Sequence, residues 1–306
     1  MRAMEDHPGS GVPVLRHEYE EALHTHWLFM NERPRQCFTP PLIRAMRCRF
    51  TAIAASASDR ALLHAVLRSD HQGVFSHGGD LCLFADAIER GDRECLRRYA
   101  RDAIDLVQWG EETDGAPVCT IALVEGDVLA GGLEAARSCH LLVAERSARF
   151  GLPESGFGLF PGMGAYALVS HYAGAAWAER MIVSGARFTA EEMHAAGIVD
   201  VLVEDGEGEA AVRSIIADRR KRSAAVLSVR ALRRARPPIE ASHLQRNADL
   251  WVESAMALDH TALRRMRRLA SPSPGTSRDP SGTTSGAASG GGITSGGISG
   301  GGGTSG

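Results

Sequence analysis

Two glutamates stand twenty positions apart in this chain, Glu134 and Glu154. Glu154 closes Gly151-Leu152-Pro153-Glu154 and opens onto Ser155 to Ala178, a stretch with no formally charged side chain. A carboxyl entering apolar surroundings loses hydration and its pKa rises; a second carboxyl nearby raises it further. Two such groups facing one cavity can divide proton transfer, one protonated as the acid and one ionised as the base. Taken singly, Glu134 also reads as a capping or solvated helix residue and Glu154 as a partner for a helix N-terminus.

Two glycine pairs give the glutamates a context. Gly78-Gly79 follows the apolar Gly73-Val74-Phe75, and Gly131-Gly132 follows the run Val118 to Val124. Each precedes a helical pattern. Glycine at a strand-to-helix turn lets peptide N–H groups point outward, where the helix dipole favours negative charge. Two such donors converging on one point form an oxyanion hole, each worth about 2.7–4 kcal/mol of transition-state stabilisation. Either pair alone also reads as an ordinary tight βα turn. Phosphate-cradling motifs are absent: there is no GxxxxGK[ST], and neither site completes GxGxxG. No Ser–His–Asp order with a GxSxG elbow appears, which disfavours a serine hydrolase. Asp80 reads as an N-cap ahead of Leu81 and Phe84, His77 as a group that could orient its loop, and His140 as a satisfied, partly buried histidine. The basic clusters Arg233-Arg234-Ala235-Arg236 and Arg264-Arg265-Met266-Arg267-Arg268 read as solvated helix faces that could also receive phosphate or an acidic carrier protein.

The elements that must hold these residues alternate between strand and helix patterns, which favours an α/β architecture. Strands are expected at Ala22 to Asn31, Arg49 to Ala54, Gly73 to Phe75, Val118 to Val124, Leu141 to Ala144 and Arg149 to Leu152. Glu125-Gly126-Asp127 reads as a turn. A helical stretch from Leu81 to Val107 breaks at Gly91-Asp92. Shorter helices are expected after Gly131 and over Gly164 to Tyr172, Ala176 to Ser184, Ala190 to Ala196 and Glu209 to Arg220. From Ile239 to Leu269, Leu244, Trp251, Ala255, Leu258, Leu263 and Met266 recur at helical spacing. The expected organisation is a flexible N-terminus over 1–11, a core domain over 12–236 and a C-terminal helical region over 237–270. A disordered Gly/Ser/Pro-rich tail over 271–306 completes it.

The chain has 306 residues, 44% of them apolar, so it can bury a full core. A net charge of -3 argues against nucleic-acid or anionic-membrane binding driven by bulk charge. Lys221 is the sole lysine, which leaves little room for lysine chemistry. The six cysteines are scattered without CxxC pairing and read as buried thiols in a reducing compartment, neither a metal site nor a disulfide framework. Pro161, five glycines and Ser170-His171-Tyr172 make Ser155 to Ala178 a buried loop plus helix and not a membrane span. With no apolar leader at the N-terminus, a cytoplasmic location is expected.

The run TIALVEGDVLAGGLEAARSCHLLVAERSARFGLPESGFGLFPGMGAY from Thr120 resembles the crotonase, or enoyl-CoA hydratase/isomerase, superfamily. That resemblance implies a spiral of β-β-α units with a C-terminal helical region. It implies Gly79 and Gly131 as peptide donors to a thioester carbonyl and Glu134 and Glu154 as the paired carboxyls of hydratases. Gly78, Gly132, Phe157, Leu159, Pro161 and Met163 would bound the substrate. A closer similarity, over Glu18 to Leu269, is to the diffusible-signal-factor synthases. It rests on Arg35-Gln36-Cys37-Phe38, Gly78-Gly79-Asp80-Leu81, Glu89-Arg90-Gly91-Asp92-Arg93, Pro161-Gly162-Met163-Gly164-Ala165-Tyr166 and Leu250-Trp251-Val252-Glu253-Ser254-Ala255-Met256. Such enzymes dehydrate a 3-hydroxyacyl thioester to the cis-2-enoyl form and hydrolyse the thioester. The resemblance implies no cofactor or metal, with coenzyme A or acyl carrier protein as substrate carrier and a sensor protein as a further partner. It also implies a homotrimer or hexamer assembled through C-terminal helices. Ser76-His77 and Ala130 depart from the family pattern. A plain enoyl-CoA hydratase and a non-catalytic interaction protein of the same fold are the alternatives.

Overall fold

The computed structural model describes residues 12–57, 62–234 and 241–271. The expected flexible N-terminus, the boundary at 236/237 and the tail from 272 onward lie outside the described residues.

Apolar, β-branched runs build two sheets. The larger holds β1 (Leu15–Glu20), β2 (Thr25–Met30), β3 (Leu63–Ser69), β5 (Val118–Val124), β7 (Leu141–Glu145) and β10 (Val201–Val203), side by side in that order. Apart from the antiparallel β1–β2 pair, its ladders are parallel. The smaller sheet holds β4 (Gly73–Ser76), β6 (Gly126–Leu129), β8 (Arg149–Gly151) and β9 (Arg187–Thr189), with only β8–β9 antiparallel.

Helices complete the fold: α1 (Pro40–Ser56), α2 (Leu81–Glu89), α3 (Arg93–Glu112), α4 (Gly131–Ser138), α5 (Ala165–Ala173), α6 (Ala175–Ser184) and α7 (Ala190–Ala195). After them come α8 (Gly208–Lys221), α9 (Ser223–Arg234), α10 (Ala241–Met256) and α11 (His260–Ala270). Successive units β3-β4-α2, β5-β6-α4 and β7-β8-α5 each send one strand to each sheet before the helix. This is the β-β-α spiral of the crotonase fold.

Every residue of β5 is buried, as a parallel strand covered on both faces requires. Its side chains alternate between two cores. Ile121 and Leu123 join Trp27, Phe29, Val66 and α8 residues Val212 and Ile216. Val118, Ala122 and Val124 face the larger core shared with α1, α3 and α4. The Leu81 to Val107 pattern resolves into α2 and α3, and the expected cap is present: Asp80 accepts from Leu83 N at 3.1 Å. Asp92 caps α3 in the same way, from Cys95 N at 3.0 Å.

Several expectations fail. Arg49 to Ala54 is no strand but the end of α1, where Leu42, Met46, Phe50 and Ile53 fall on one buried face. Glu125-Gly126-Asp127 is not a free turn, because Gly126 begins β6. Its pairing with Gly73 is so close that a Cβ on Gly126 would stand 2.0 Å from the Gly73 carbonyl carbon. Cys119 and Cys139 are buried as expected, whereas Cys48 and Cys82 are exposed. Ser155 to Ala178 forms a 3₁₀ turn, a loop and the helices α5 and α6. No helix among the described residues is long and apolar enough to cross a membrane. The C-terminal α10 lays Leu244, Ala248, Trp251, Val252 and Ala255 into the chain's own core.

Candidate active site

Three adjacent parallel strands, β4, β6 and β8, each end at a residue group singled out above. The ladder aligns Ser76 with Val128 and Leu129 with Gly151. Beyond those ends come His77-Gly78-Gly79, Ala130-Gly131-Gly132 and Leu152-Pro153-Glu154. Residues fifty positions apart in sequence thereby become neighbours.

The first turn is held by Ser76, which is fully buried and accepts from Gly78 N at 3.1 Å. Gly78 has φ +90, and its carbonyl accepts from Phe38 N at 2.7 Å. The second turn leaves β6 through Ala130, at φ 52, whose N–H donates to Gly151 O at 2.9 Å. The two turns touch: a Cβ on Gly78 would lie 2.4 Å from Ala130 Cβ and 3.0 Å from Gly131 N. One on Gly132 would lie 2.8 Å from Ser76 Cβ. Gly78 and Gly132 therefore serve close backbone packing, and the N–H of Gly78 is committed to Ser76. The N–H groups of Gly79 and Gly131 have no acceptor among the described residues. They remain available to an oxyanion.

Glu134 is 1% exposed. Its Oε1 accepts from Met163 N at 2.9 Å and Ala165 N at 2.8 Å, at the start of α5. Those bonds favour the ionised form, yet burial outweighs them and lifts the carboxyl from 4.5 to about 7. Glu154 sits in the 3₁₀ turn Pro153–Phe157, and its buried Oε2 has no hydrogen-bond partner among the described residues. Burial first, and then the charge of Glu134, push it up to about 8. The two carboxyls are close enough to sense each other. Near neutral pH such a pair holds about one proton between them.

Around this centre, Phe157, Leu159, Pro161 and Met163 are buried, as an apolar wall requires. Met163 comes nearest: its sulfur would stand 2.8 Å from a Cβ on Gly131. The aromatic support behind the glycines has no local signature in the sequence. Phe84 would meet a Cβ on Gly79 at 2.6 Å and packs edge-on against Tyr99 and Trp251, with centroids 4.8 and 5.0 Å away. The Tyr99 hydroxyl donates to Phe38 O at 2.6 Å. Trp251 lies on Gly162, whose Cβ would be 2.8 Å from the indole. Arg137 is a further unforeseen support. Fully buried on α4, it donates to Asp200 at 2.9 Å and to Cys139 O at 3.1 Å, with its guanidinium 3.8 Å over the Tyr172 ring.

Other expected groups take structural places. His140 is buried, and its Nδ1 accepts from Thr120 N at 3.1 Å. His77 is half-buried, its backbone bonded to Gln36 O, and burial pushes its ring down to about 4. Arg267 is an ion-pair partner of Asp86 and Glu89, each at 2.7 Å, and Arg265 donates to Gly156 O at 2.7 Å. The side chains of Arg233 to Arg236 lie outside the described residues.

Two buried carboxyls of raised pKa, beside two uncommitted peptide donors on a β-β-α spiral, define a site suited to proton transfer next to an acyl carbonyl. The chain belongs to the enoyl-CoA hydratase/isomerase family, whose model matches residues 33–271. It is 32% identical over 174 residues to a peroxisomal fatty acid beta-oxidation multifunctional protein of Arabidopsis thaliana, covering 57% of this chain and 23% of that protein. It is 32% identical over 169 residues to the mitochondrial methylglutaconyl-CoA hydratase of Rattus norvegicus, covering 54% and 50%. The chain thus spans half or less of the length of these relatives. Among solved structures, Pseudomonas aeruginosa DspI superposes with a TM-score of 0.62 at 26% identity, over 84% of this chain and 94% of DspI. An enoyl-CoA hydratase from Bacillus halodurans shares the fold, with a TM-score of 0.67 at 18% identity over 84% and 99%.

Proposed function

We propose that the protein is a dehydratase/hydratase of 3-hydroxyacyl and 2-enoyl thioesters that also hydrolyses the thioester, releasing a cis-2-unsaturated fatty acid. One observation carries the reading: Glu134 and Glu154, both buried and raised, lie at the same strand ends as the free N–H groups of Gly79 and Gly131. In dehydration the ionised carboxyl removes the α-proton, and charge builds on the thioester oxygen. Gly79 and Gly131 donate to that oxygen, where no solvent reorganisation is needed. The protonated carboxyl gives its proton to the β-hydroxyl, which leaves as water while the Cα–Cβ double bond forms. In hydrolysis water attacks the carbonyl carbon, the C–S bond breaks, and the departing thiolate takes up a proton. The same two donors hold the oxyanion. Either a coenzyme A or a carrier-protein thioester presents this carbonyl, and the protein's own carboxyls and peptide N–H groups act on it.

The motifs shared with the diffusible-signal-factor synthases, from Arg35 to Met256, support this reading. A plain enoyl-CoA hydratase is the second reading, favoured by the curated relatives. Purified protein is incubated with 3-hydroxyacyl-carrier-protein, 3-hydroxyacyl-CoA and trans-2-enoyl-CoA, and products are identified by mass spectrometry. The first reading expects cis-2-enoyl product and free acid. Interconversion of 3-hydroxyacyl-CoA and trans-2-enoyl-CoA without free acid selects the second. Output that survives Glu134→Ala and Glu154→Ala selects a binding role.

A further inference from the structure

On the sheet face opposite α4, the apolar contact between α8 and the larger sheet ends at Arg219, whose Nη1 lies 2.8 Å from the sulfur of buried Cys119. Beyond that point a groove of about 460 Å³ opens between the first residues of β5 and β7 and helices α8 and α9. Three guanidinium groups line it, Arg219, Arg222 and Arg230, together with His140. Its one lining carboxylate, Asp218, is paired with Lys221 at 2.9 Å. Lys221 holds that carboxyl low, with Arg222 contributing least. The guanidinium of Arg222 makes no hydrogen bond or ion pair among the described residues. Arg230, 5% exposed, is held in place as it donates to the Thr113 hydroxyl at 2.7 Å and to Ala116 O at 3.1 Å.

His64 is an independent observation at the same edge. The β3–β5 register sets it beside Cys119; it is fully buried, and neither ring nitrogen has a hydrogen-bond partner among the described residues. Burial, then Arg219, Arg220 and Arg230, push it down to about 3. Positive charge therefore accumulates here in a chain whose net charge is -3. Arg219 and Arg222 form no ion pair among the described residues, and a multivalent oxyanion stabilises like charges held this close together. Guanidinium forks match phosphate oxygens in geometry as well as charge.

We propose that this groove is a second binding site, for a small phosphate-bearing anion, formed by Arg219, Arg222 and Arg230 on the sheet face opposite Glu134. The apolar Val226 and Val229 beside the arginines suit a nucleoside attached to that phosphate, so inorganic phosphate and ADP are the two probes.

Titration calorimetry of the whole protein is performed with each probe at constant ionic strength set by sodium chloride. Saturable binding is expected, weakened about tenfold or more by Arg222→Ala, an exposed residue whose loss leaves the fold intact. Binding is expected to survive Glu134→Gln, which separates this site from the carboxylate pair. Tighter binding of ADP than of phosphate identifies a nucleotide site; equal binding identifies a phosphate site. Absence of saturable binding, or binding indifferent to Arg222→Ala, overturns the proposal.

Discussion

The peptide N–H of Met163 donates to Oε1 of Glu134, while the sulfur of the same methionine covers the α-carbon of Gly131. One residue thus touches a candidate acid and a candidate oxyanion donor. In Gly131→Ala the new methyl meets the end of a flexible thioether at 2.8 Å and lies 3.8 Å from Glu134 Oε2. The fold tolerates the change, but the displaced sulfur crowds the reacting carbonyl. Turnover of an enoyl thioester is expected to fall about 10²–10³-fold, with the melting temperature little altered. Adding Met163→Ala restores room and part of the activity. Wild-type turnover in Gly131→Ala would remove Gly131 from the oxyanion site.

The glutamates impose a pH dependence on stability. Both bind a proton more tightly when folded, rising from 4.5 to about 7 for Glu134 and about 8 for Glu154. The folded state therefore holds more protons than the unfolded chain between those values, and stability declines as pH rises through that window. Below about pH 4.5 both states are protonated and the penalty vanishes. Glu154→Gln removes its share. Denaturant midpoints should show the variant gaining on the order of 2–4 kcal/mol over wild type at pH 8.5 and almost nothing at pH 5. An equal gain at both pH values would mean that Glu154 ionises freely in the folded chain.

Ala130 occupies a position that glycine suits better. Its φ of 52 and ψ of -133 place an alanine where L side chains are strained. Ala130→Gly relieves the strain, partly offset by the greater freedom of glycine in the unfolded chain. A net gain of about 1 kcal/mol is expected from urea unfolding, with activity unchanged because Gly131 keeps its N–H. A loss of stability would show that the contact of the Ala130 methyl with Gly78 outweighs the strain.

The site was more legible in the sequence than the frame around it. Glu134, Glu154, Gly79 and Gly131 are marked by residue type and position relative to apolar runs, so local reading finds them. The edge strand β1, the long helix α1 and the short β6 are different. In α1 the Arg49 to Ala54 window looks like a strand in isolation; the Thr39-Pro40-Pro41 start, with Thr39 capping Leu42 N at 3.3 Å, carries the helical signal. β6 exists because Gly126 pairs closely with Gly73, fifty-three positions away, and no local pattern encodes that. Ser76 looked like a departure from the family pattern, and its role as acceptor for Gly78 emerges only once β4 and β6 lie together.

Trp251 links the C-terminal helical region to the surroundings of both glycine turns. Its indole packs on Phe84, which backs Gly79, and on Gly162, which precedes the Met163 N–H that holds Glu134. Removing the ring leaves a cavity between these contacts, and Trp251→Ala should cost about 3–5 kcal/mol of stability. A purely structural residue would lower the active fraction and leave kcat per folded molecule unchanged. Here Phe84 and the Gly162-Met163 segment relax together, so kcat per folded molecule should fall at least about tenfold. KM should move less, because the acids and donors lose alignment more than the carrier loses contacts. Trp251→Phe keeps an aromatic face against Phe84 and should recover most of kcat while restoring only part of the stability. Recovery of both in equal measure would reduce Trp251 to a core residue without influence on the site.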